Sequence, residues 1–134
     1  MNGVTPTSGD FANATAIATA LAACTIDLFQ NNISVVKSTP VGSLEVATFT
    51  GYTQQTVATP GPPVIDPVLG GVSIIMPSKV FAAASPYTVG NTIYGWYLRD
   101  ATGALIAAGN FPTPINVGGL GQAVPLTVTL NFQD

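Results

Sequence analysis

The stretch Ala123–Phe132, which reads AVPLTVTLNF, decides the fold class because apolar and polar side chains alternate along it. Successive side chains of an extended chain point to opposite faces, so this period of two predicts a β-strand with one face on a core and the other in water. The apolar face carries Leu126, Val128, Leu130 and Phe132, and the polar face carries Thr127, Thr129, Asn131 and Gln133. We therefore predict that this strand borders the hydrophobic core.

Six other segments are rich in the same Thr, Val, Ile and aromatic residues, which favour strands. They predict strands at Thr25–Gln30, Ser43–Phe49, Tyr52–Ala58, Val72–Ile75, Thr92–Leu98 and Ala104–Ala108. The segment Thr92–Leu98 is polar on neither face, which predicts a central strand or a contact with another subunit. The turn sequence Arg99–Gly103 follows it, so this strand and the next are predicted to form a β-hairpin.

A single helix is predicted, near the N-terminus. Asp10 is a suitable N-cap, and the residues from Phe11 to Ala23 contain seven alanines and an apolar pattern of helical spacing. One helix followed by about seven strands, without alternation of the two, predicts a mainly β fold, either an antiparallel sandwich or a barrel.

The length of 134 residues suits one domain, which we predict to cover residues 10–134. Residues 1–9 are uncharged and contain Gly and Pro, as is typical of an extended N-terminal arm. Thr59–Gly71 contains four prolines in thirteen residues, so we predict a Pro-rich loop there and no interior strand.

Charged residues make up only 7% of the chain, whereas about 25% is usual in soluble domains. The chain has no histidine, which removes the commonest metal ligand and the usual general acid/base at neutral pH. Its three basic residues, Lys37, Lys79 and Arg99, are too far apart in sequence for a phosphate-binding patch. We predict no catalytic activity, no metal, no cofactor and no nucleic-acid partner. No apolar run reaches the roughly 18 residues of a membrane span, so no membrane partner is predicted either.

Two groups of residues leave alternatives open. Asp27 and Glu45 could face each other as a glycosidase pair or lie at solvated strand edges, and we favour the edges. Tyr94, Trp96 and Tyr97 could stack on a sugar ring or pack in the core or a subunit contact, and we favour packing. The lone Cys24 is interpreted as a small buried apolar side chain.

Three stretches of the sequence resemble a group of small proteins of tailed phages and prophages. The first is IDLFQNNISVVKST, Ile26–Thr39, with the motif LFxNN; the second is LEVATFTGYTQQTV, Leu44–Val57, with the motif ATFxGY. The third, IYGWYLRDATGALIAAGNF at Ile93–Phe111, is similar to that group's aromatic strand, aspartate turn and closing strand. The sequence departs from the group's pattern at Ala107–Asn110, where relatives tend to carry tryptophan and charged residues.

The resemblance implies a virion protein and favours a capsid decoration or cement protein, whose partner is the major capsid protein or another virion protein. It brings no catalytic residues. Low charge fits a function of many contacts to a repetitive shell. The alternative function is a carbohydrate-binding module of a phage tail or fibre, for which Trp96 and the tyrosines would supply the binding face.

The predicted partner contact lies on the arm and the Pro-rich loop, because apolar residues persist in loops where another surface covers them. We do not expect either segment to add hydrogen bonds to a sheet. The predicted contact residues are Val4, Pro6, Pro62, Pro63, Val64, Ile65, Val68 and Leu69. A homo-oligomer is also predicted, with a trimer favoured because it matches three-fold positions of a shell.

Overall fold

Antiparallel sheets form the fold, as the sequence predicts. The computed structural model describes residues 19–36, 38–65 and 71–132; within them, strands account for 43% and helices for 6%. The strands of these ranges are β1 Thr25–Phe29, β2 Gln55–Thr56, β3 Val64–Ile65, β4 Val72–Ile75, β5 Lys79–Ala82, β6 Asn91–Arg99, β7 Leu105–Val117, β8 Ala123–Leu126 and β9 Thr129–Phe132. The mainly β prediction is confirmed, and the described strands form no closed barrel.

The predicted N-terminal helix is present as a short helix at residues 19–21, where Leu21 is buried. The expected cap Asp10 and most of the expected helix body lie outside the described residues, as does the predicted arm of residues 1–9.

The described chain falls into two compact units, each built from separate stretches of sequence. One contains residues 19–23, 57–65, 71–78 and 126–132, and the other contains residues 24–36, 38–56 and 79–125. Each unit has its own strands and its own buried apolar side chains.

The larger unit is built on a four-stranded sheet in the order β2-β1-β6-β7. Its central pair is β1 and β6, in which Leu28 lies opposite Trp96 and Phe29 opposite Gly95. Burial of Ile26, Leu28 and Phe29 on β1 gives this sheet an apolar centre. The unit also contains the paired strands β5 and β8. The central position predicted for Thr92–Leu98 is confirmed, because β6 has a strand on each side.

The predicted hairpin of β6 and β7 forms around Asp100. Its Oδ1 accepts hydrogen bonds from the backbone N–H of Thr102 at 2.8 Å, the hydroxyl of Thr102 at 2.6 Å and the N–H of Ala104 at 3.0 Å. Gly103 adopts a φ of +89°, a left-handed conformation that favours glycine. Strand β7 extends to Val117, nine residues beyond the predicted end at Ala108.

The prediction of a strand at Ser43–Phe49 is wrong. Residues Val41–Ser43 form a 3-10 turn, and the following loop contacts β1 through one isolated bridge between Phe29 and Val46. The side chain of Asn31 holds this loop by donating to the carbonyl of Ser43 at 2.8 Å and accepting from the N–H of Glu45 at 2.9 Å. The backbone hydrogen bonds between this loop and the region of β1 are the two that flank the bridge, from Gln30 to Glu45 and from Ala47 to Leu28. The side-chain bonds of Asn31 hold the loop where a regular strand would have further backbone bonds. The next predicted strand, Tyr52–Ala58, shrinks to the two residues of β2.

The smaller unit contains a three-stranded sheet in the order β3-β4-β9. The buried apolar residues on and after β4 are Val72, Ile74 and Met76, and Ser73 of the same strand is buried as well. The prediction that the Pro-rich segment adds no ladder bonds is wrong at Val64–Ile65, which pairs with β4 as an edge strand. An edge position suits this segment because proline has no N–H to donate to a neighbouring strand.

The alternating stretch Ala123–Phe132 proves to be two strands in different sheets. Strand β8 pairs with β5, whereas β9 pairs with β4. The break falls at Thr127–Val128, where the carbonyl of Val128 accepts from the N–H of Met76 at 2.7 Å. The alternation of burial continues through the break, since Val124, Leu126 and Val128 are all buried.

Candidate functional site

Three of the eight predicted contact residues are described in full, and a fourth, Ile65, is described in its backbone alone. Pro62 and Val64 are exposed and Pro63 is half-buried, whereas for Ile65 only the backbone pairing with Val72 is described. The other four predicted contact residues lie outside the described ranges: Val4, Pro6, Val68 and Leu69. Within the Pro-rich loop, the structure therefore describes the side chains of Pro62, Pro63 and Val64.

Val64 and Ile75 form an exposed apolar face on the three-stranded sheet. Val64 is opposite Ser73, and Ile75 lies two residues further along β4, so Val64 and Ile75 lie on the same face as Ser73, which is buried and accepts a hydrogen bond from Asn131 at 2.9 Å. The side chains of Val64 and Ile75 are 46% and 51% exposed. Thr129 of β9 is opposite Ile75 and is also exposed. We call these three residues the Val64–Ile75 face; it contains no charged side chain.

The position of this face is fixed by backbone pairing of the Pro-rich segment. The N–H of Gly61 donates to the carbonyl of Ile75 at 2.7 Å, and Val64 and Ile65 then pair with Ser73 and Val72. A side chain at Gly61 would meet that same carbonyl at 2.8 Å, so the close approach needs glycine. The sequence predicted Val64 as a contact residue but did not point to Ile75. The alternation of side chains along β4, which reads VSII, does place Ser73 and Ile75 on one face.

A buried polar cluster around Asp27 lies on the four-stranded sheet. The Oδ1 of Asp27 accepts from the hydroxyl of Tyr52 at 2.6 Å, and its Oδ2 accepts from the side-chain amide of Gln54 at 2.7 Å and from Arg99 at 3.0 Å. The guanidinium of Arg99 also lies 5.6 Å from the centre of the Tyr97 ring. The interpretation of Asp27 as a solvated edge residue is wrong, because its side chain is buried.

The electrostatics of this cluster favour a structural role. Burial, and secondarily the hydrogen bond to Asp27, raise the pKa of Tyr52 far above its usual value, so its hydroxyl stays protonated and donates. Burial likewise raises the pKa of Tyr97. Both oxygens of Asp27 are engaged by donors, while the side chain of Glu45 is exposed. The arrangement ties β1 to β6 and to the loop that contains Tyr52.

The aromatic residues of β6 differ in environment. Tyr97 is buried against Phe29, with ring centres 6.5 Å apart, whereas Tyr94 and Trp96 are half-buried. A side chain built at Gly109 would come within 2.7 Å of the indole nitrogen of Trp96, so the ring lies directly over the backbone of β7. Packing accounts for Tyr97, and the half-buried indole of Trp96 is the remaining candidate for a sugar-stacking ring.

A groove runs beside the first half of β7. It has a volume of about 340 Å³ and is lined by Val35, Val36 and the segment from Leu105 to Ala108. Val36 and Ile106 are 64% and 47% exposed at this groove. The loop side of the groove is fixed by Asn110, whose side chain accepts from the N–H of Val35 at 2.8 Å and donates to the carbonyl of Ile33 at 2.7 Å.

The part of the chain that the structure describes holds no group of three His, Cys, Asp or Glu residues placed to bind a metal ion. Among the same residues, no helix has the length and apolar character needed to cross a membrane. Cys24 is buried, as expected, and burial raises the pKa of its thiol.

Comparison of the chain with protein-family models, with curated proteins and with solved structures finds no match.

Proposed function

We propose that this protein is a structural component of a phage particle, a decoration or cement protein that stabilises the shell through protein–protein contacts. The observation that carries the proposal is the Val64–Ile75 face. Val64 and Ile75 are two aliphatic side chains on one face of one sheet, each about half exposed, and they supply the apolar surface at which we propose that another protein binds.

The composition of the chain supports the same proposal. Nine charged residues in 134 leave a surface of neutral polar and apolar groups. Such a surface associates by burying area and by neutral hydrogen bonds, and its contacts are only weakly screened by salt. The partner proposed is the major capsid protein or another virion protein that repeats over the particle.

The test is the occupancy of variants on purified particles. Particles from cells that encode this chain are stripped of it or produced without it, then incubated with purified protein and separated by sedimentation. The variants Val64→Ser and Ile75→Ser are expected to fold, because both side chains are exposed, and to bind with lower occupancy than the natural chain.

A matched control is Val80→Ser, since Val80 is 57% exposed on β5 of the other unit. Its occupancy should equal that of the natural chain. If both face variants saturate the particle as the natural chain does, the Val64–Ile75 face is not the contact. If the natural chain does not bind the particle at all, the proposed function is wrong.

The carbohydrate-binding alternative has a separate readout. A glycan array probed with the natural chain and with Trp96→Ala would show binding that depends on Trp96 if its half-buried indole stacks on sugars. Such binding, together with failure to bind the shell, would favour the tail or fibre module over the cement protein.

A further inference from the structure

We propose that the loop after β1 opens as one unit about its base, and that the side chain of Asn110 on β7 is the latch that holds it closed. The loop comprises residues 32–36 and 38–42, and we call it the β1 loop. When closed, it covers part of one face of the four-stranded sheet. This inference concerns the purified chain and does not depend on the proposed function.

The base of the β1 loop is tied together by Asn31. Its side chain donates to the carbonyl of Ser43 at 2.8 Å and accepts from the N–H of Glu45 at 2.9 Å, so the two ends of the loop lie side by side. The N–H of Gln30, directly after β1, donates to the carbonyl of Glu45 at 2.8 Å. The base is therefore fixed to the end of β1, and the rest of the loop can turn about it.

The β1 loop has hydrogen bonds of its own that do not involve the sheet. The N–H of Val36 donates to Oγ1 of Thr39 at 2.8 Å, and the N–H of Thr39 donates to the carbonyl of Val36 at 2.9 Å. Next to the base, the N–H of Leu44 donates to the carbonyl of Val41 at 3.1 Å. These bonds can persist when the loop leaves the sheet, so opening does not require the loop itself to unfold.

Asn110 provides the hydrogen bonds between the β1 loop and the sheet. Its Oδ1 accepts from the N–H of Val35 at 2.8 Å, and its Nδ2 donates to the carbonyl of Ile33 at 2.7 Å. Among the described residues, no other hydrogen bond joins the loop to any residue outside 31–45. Loss of these two bonds therefore frees the loop from β7.

The side chains of the β1 loop pack mainly on one side. Three half-buried aliphatic residues of the loop pack on the buried cluster of Phe29, Leu44 and Tyr97: Ile33, Val35 and Val41. Towards β7, the groove of about 340 Å³ lies between the loop and residues 105–108, and Val36 is 64% exposed there. The cost of opening is therefore mainly the exposure of the three half-buried side chains and of the cluster beneath them.

Opening changes the surface that the sheet presents. In the closed chain, Phe29 and Tyr97 are 0% and 4% exposed. Release of the loop uncovers part of these two rings, next to the guanidinium of Arg99, which lies 5.6 Å from the centre of the Tyr97 ring. The β1 loop thus acts as a lid that hides an aromatic surface when it is latched and presents that surface when it is released.

The test is amide hydrogen exchange of the isotope-labelled chain, followed by NMR at urea concentrations below the unfolding transition. Opening exposes apolar surface, so exchange of the Val35 N–H should accelerate as urea is added. The N–H of Ala47 donates to the carbonyl of Leu28 at 2.9 Å outside the loop, and it should exchange about tenfold more slowly or less.

Two results in the natural chain would overturn the proposal. A Val35 exchange rate that does not change with urea would show that one hydrogen bond breaks without movement of the loop. Equal rates at Val35 and Ala47, after correction for their intrinsic rates, would show that the loop opens only when the larger unit unfolds. Neither result depends on a variant that has to fold.

Val41→Ala tests whether the loop opens as one unit. Val41 packs on the buried cluster at the other end of the loop, so its truncation should accelerate exchange at Val35 about fivefold. Val36→Ala is the matched control, because its exposed side chain has little packing to lose, and it should leave the Val35 rate nearly unchanged. An unchanged rate in Val41→Ala would show that the two ends of the loop move separately, against the proposal.

Asn110→Asp tests the latch. The new carboxylate keeps an acceptor for the N–H of Val35 but sets an oxygen against the carbonyl oxygen of Ile33, so exchange at Val35 should rise about tenfold or more. Asn116→Asp is the control, since Asn116 is an exposed residue of β7 whose side chain has no hydrogen bond within the described ranges. Equal Val35 rates in the two variants would contradict the assignment of Asn110 as the latch.

Discussion

The hydroxyl of Tyr52 donates a 2.6 Å hydrogen bond to Oδ1 of Asp27 and accepts a 3.1 Å hydrogen bond from the backbone N–H of Leu28. One side chain thus binds both the buried carboxylate and the backbone of β1. Its ring packs between Phe49, at 5.4 Å with an edge contact, and Phe81, at 5.8 Å in a stacked arrangement. Tyr52 belongs to the ATFxGY motif, so that motif serves the packing of the unit.

Replacement of Tyr52 by Phe should lower the free energy of unfolding by about 2 kcal/mol, because Asp27 loses a donor while it remains buried. Urea denaturation measures the change. Tyr94→Phe is the control, since no hydrogen bond joins the Tyr94 hydroxyl to any residue of the described ranges. Equal effects of the two substitutions would show that the Asp27 contact contributes nothing.

Stability should fall in alkaline solution because of the same tyrosine. Burial and the hydrogen bond to Asp27 raise the pKa of Tyr52 in the folded chain, so unfolding releases its proton once the pH exceeds the ordinary tyrosine pKa of about 10. Its contribution is complete below that pH and is lost progressively above it. Urea denaturation over this range should show a smaller fall for Tyr52→Phe; an identical fall would contradict this account of the pKa.

The turn at Asp100 should weaken in acid. Hydrogen bonds, first from the hydroxyl of Thr102 and then from the N–H of Ala104, lower the pKa of Asp100. Its contribution is therefore present above the ordinary aspartate pKa of about 3.9 and is lost as the pH falls through the lowered value. Asp100→Ala should accelerate amide hydrogen exchange at Thr102 and Ala104 at neutral pH. Glu45→Ala, which removes the same charge from another exposed side chain, should leave those two rates unchanged.

Gly95→Ala should be strongly destabilising. A Cβ at this buried position of β6 would lie 2.5 Å from the ring of Phe29 and would also strike the carbonyl of Gly109. An added methyl group that clashes with the backbone of a paired strand lowers the free energy of unfolding by about 3 kcal/mol. Gly119→Ala is the control, because nothing lies within 4 Å of its Cβ position. Thermal unfolding compares the two, and similar melting temperatures would contradict the packing described.

The sequence predicted the features that depend on local pattern. Strand β1, strand β4 and the hairpin of β6 and β7 follow from β-forming residues and from the Asp-x-x-Gly turn, whose chemistry is complete within Asp100–Gly103. The alternation from Val124 to Val128 also gave the correct buried face, although the chain changes sheets in the middle of it.

The features that depend on distant partners were not predictable from one sequence. The loop at residues 44–49 has the composition of a strand but is held by the side chain of Asn31. Asp27 is buried because Tyr52, Gln54 and Arg99, up to 72 residues away, converge on it. Ile75 joins Val64 only because the Pro-rich segment pairs with β4. Each case rests on a contact that no local pattern encodes.

The proposal that the chain is a virion structural protein is tested most directly by quantitative mass spectrometry of purified particles from cells that encode it. The account predicts that the chain is present in a constant ratio to the major shell protein across independent preparations, as expected of a protein bound at every repeat of the shell. Complete particles that lack the chain would contradict the account.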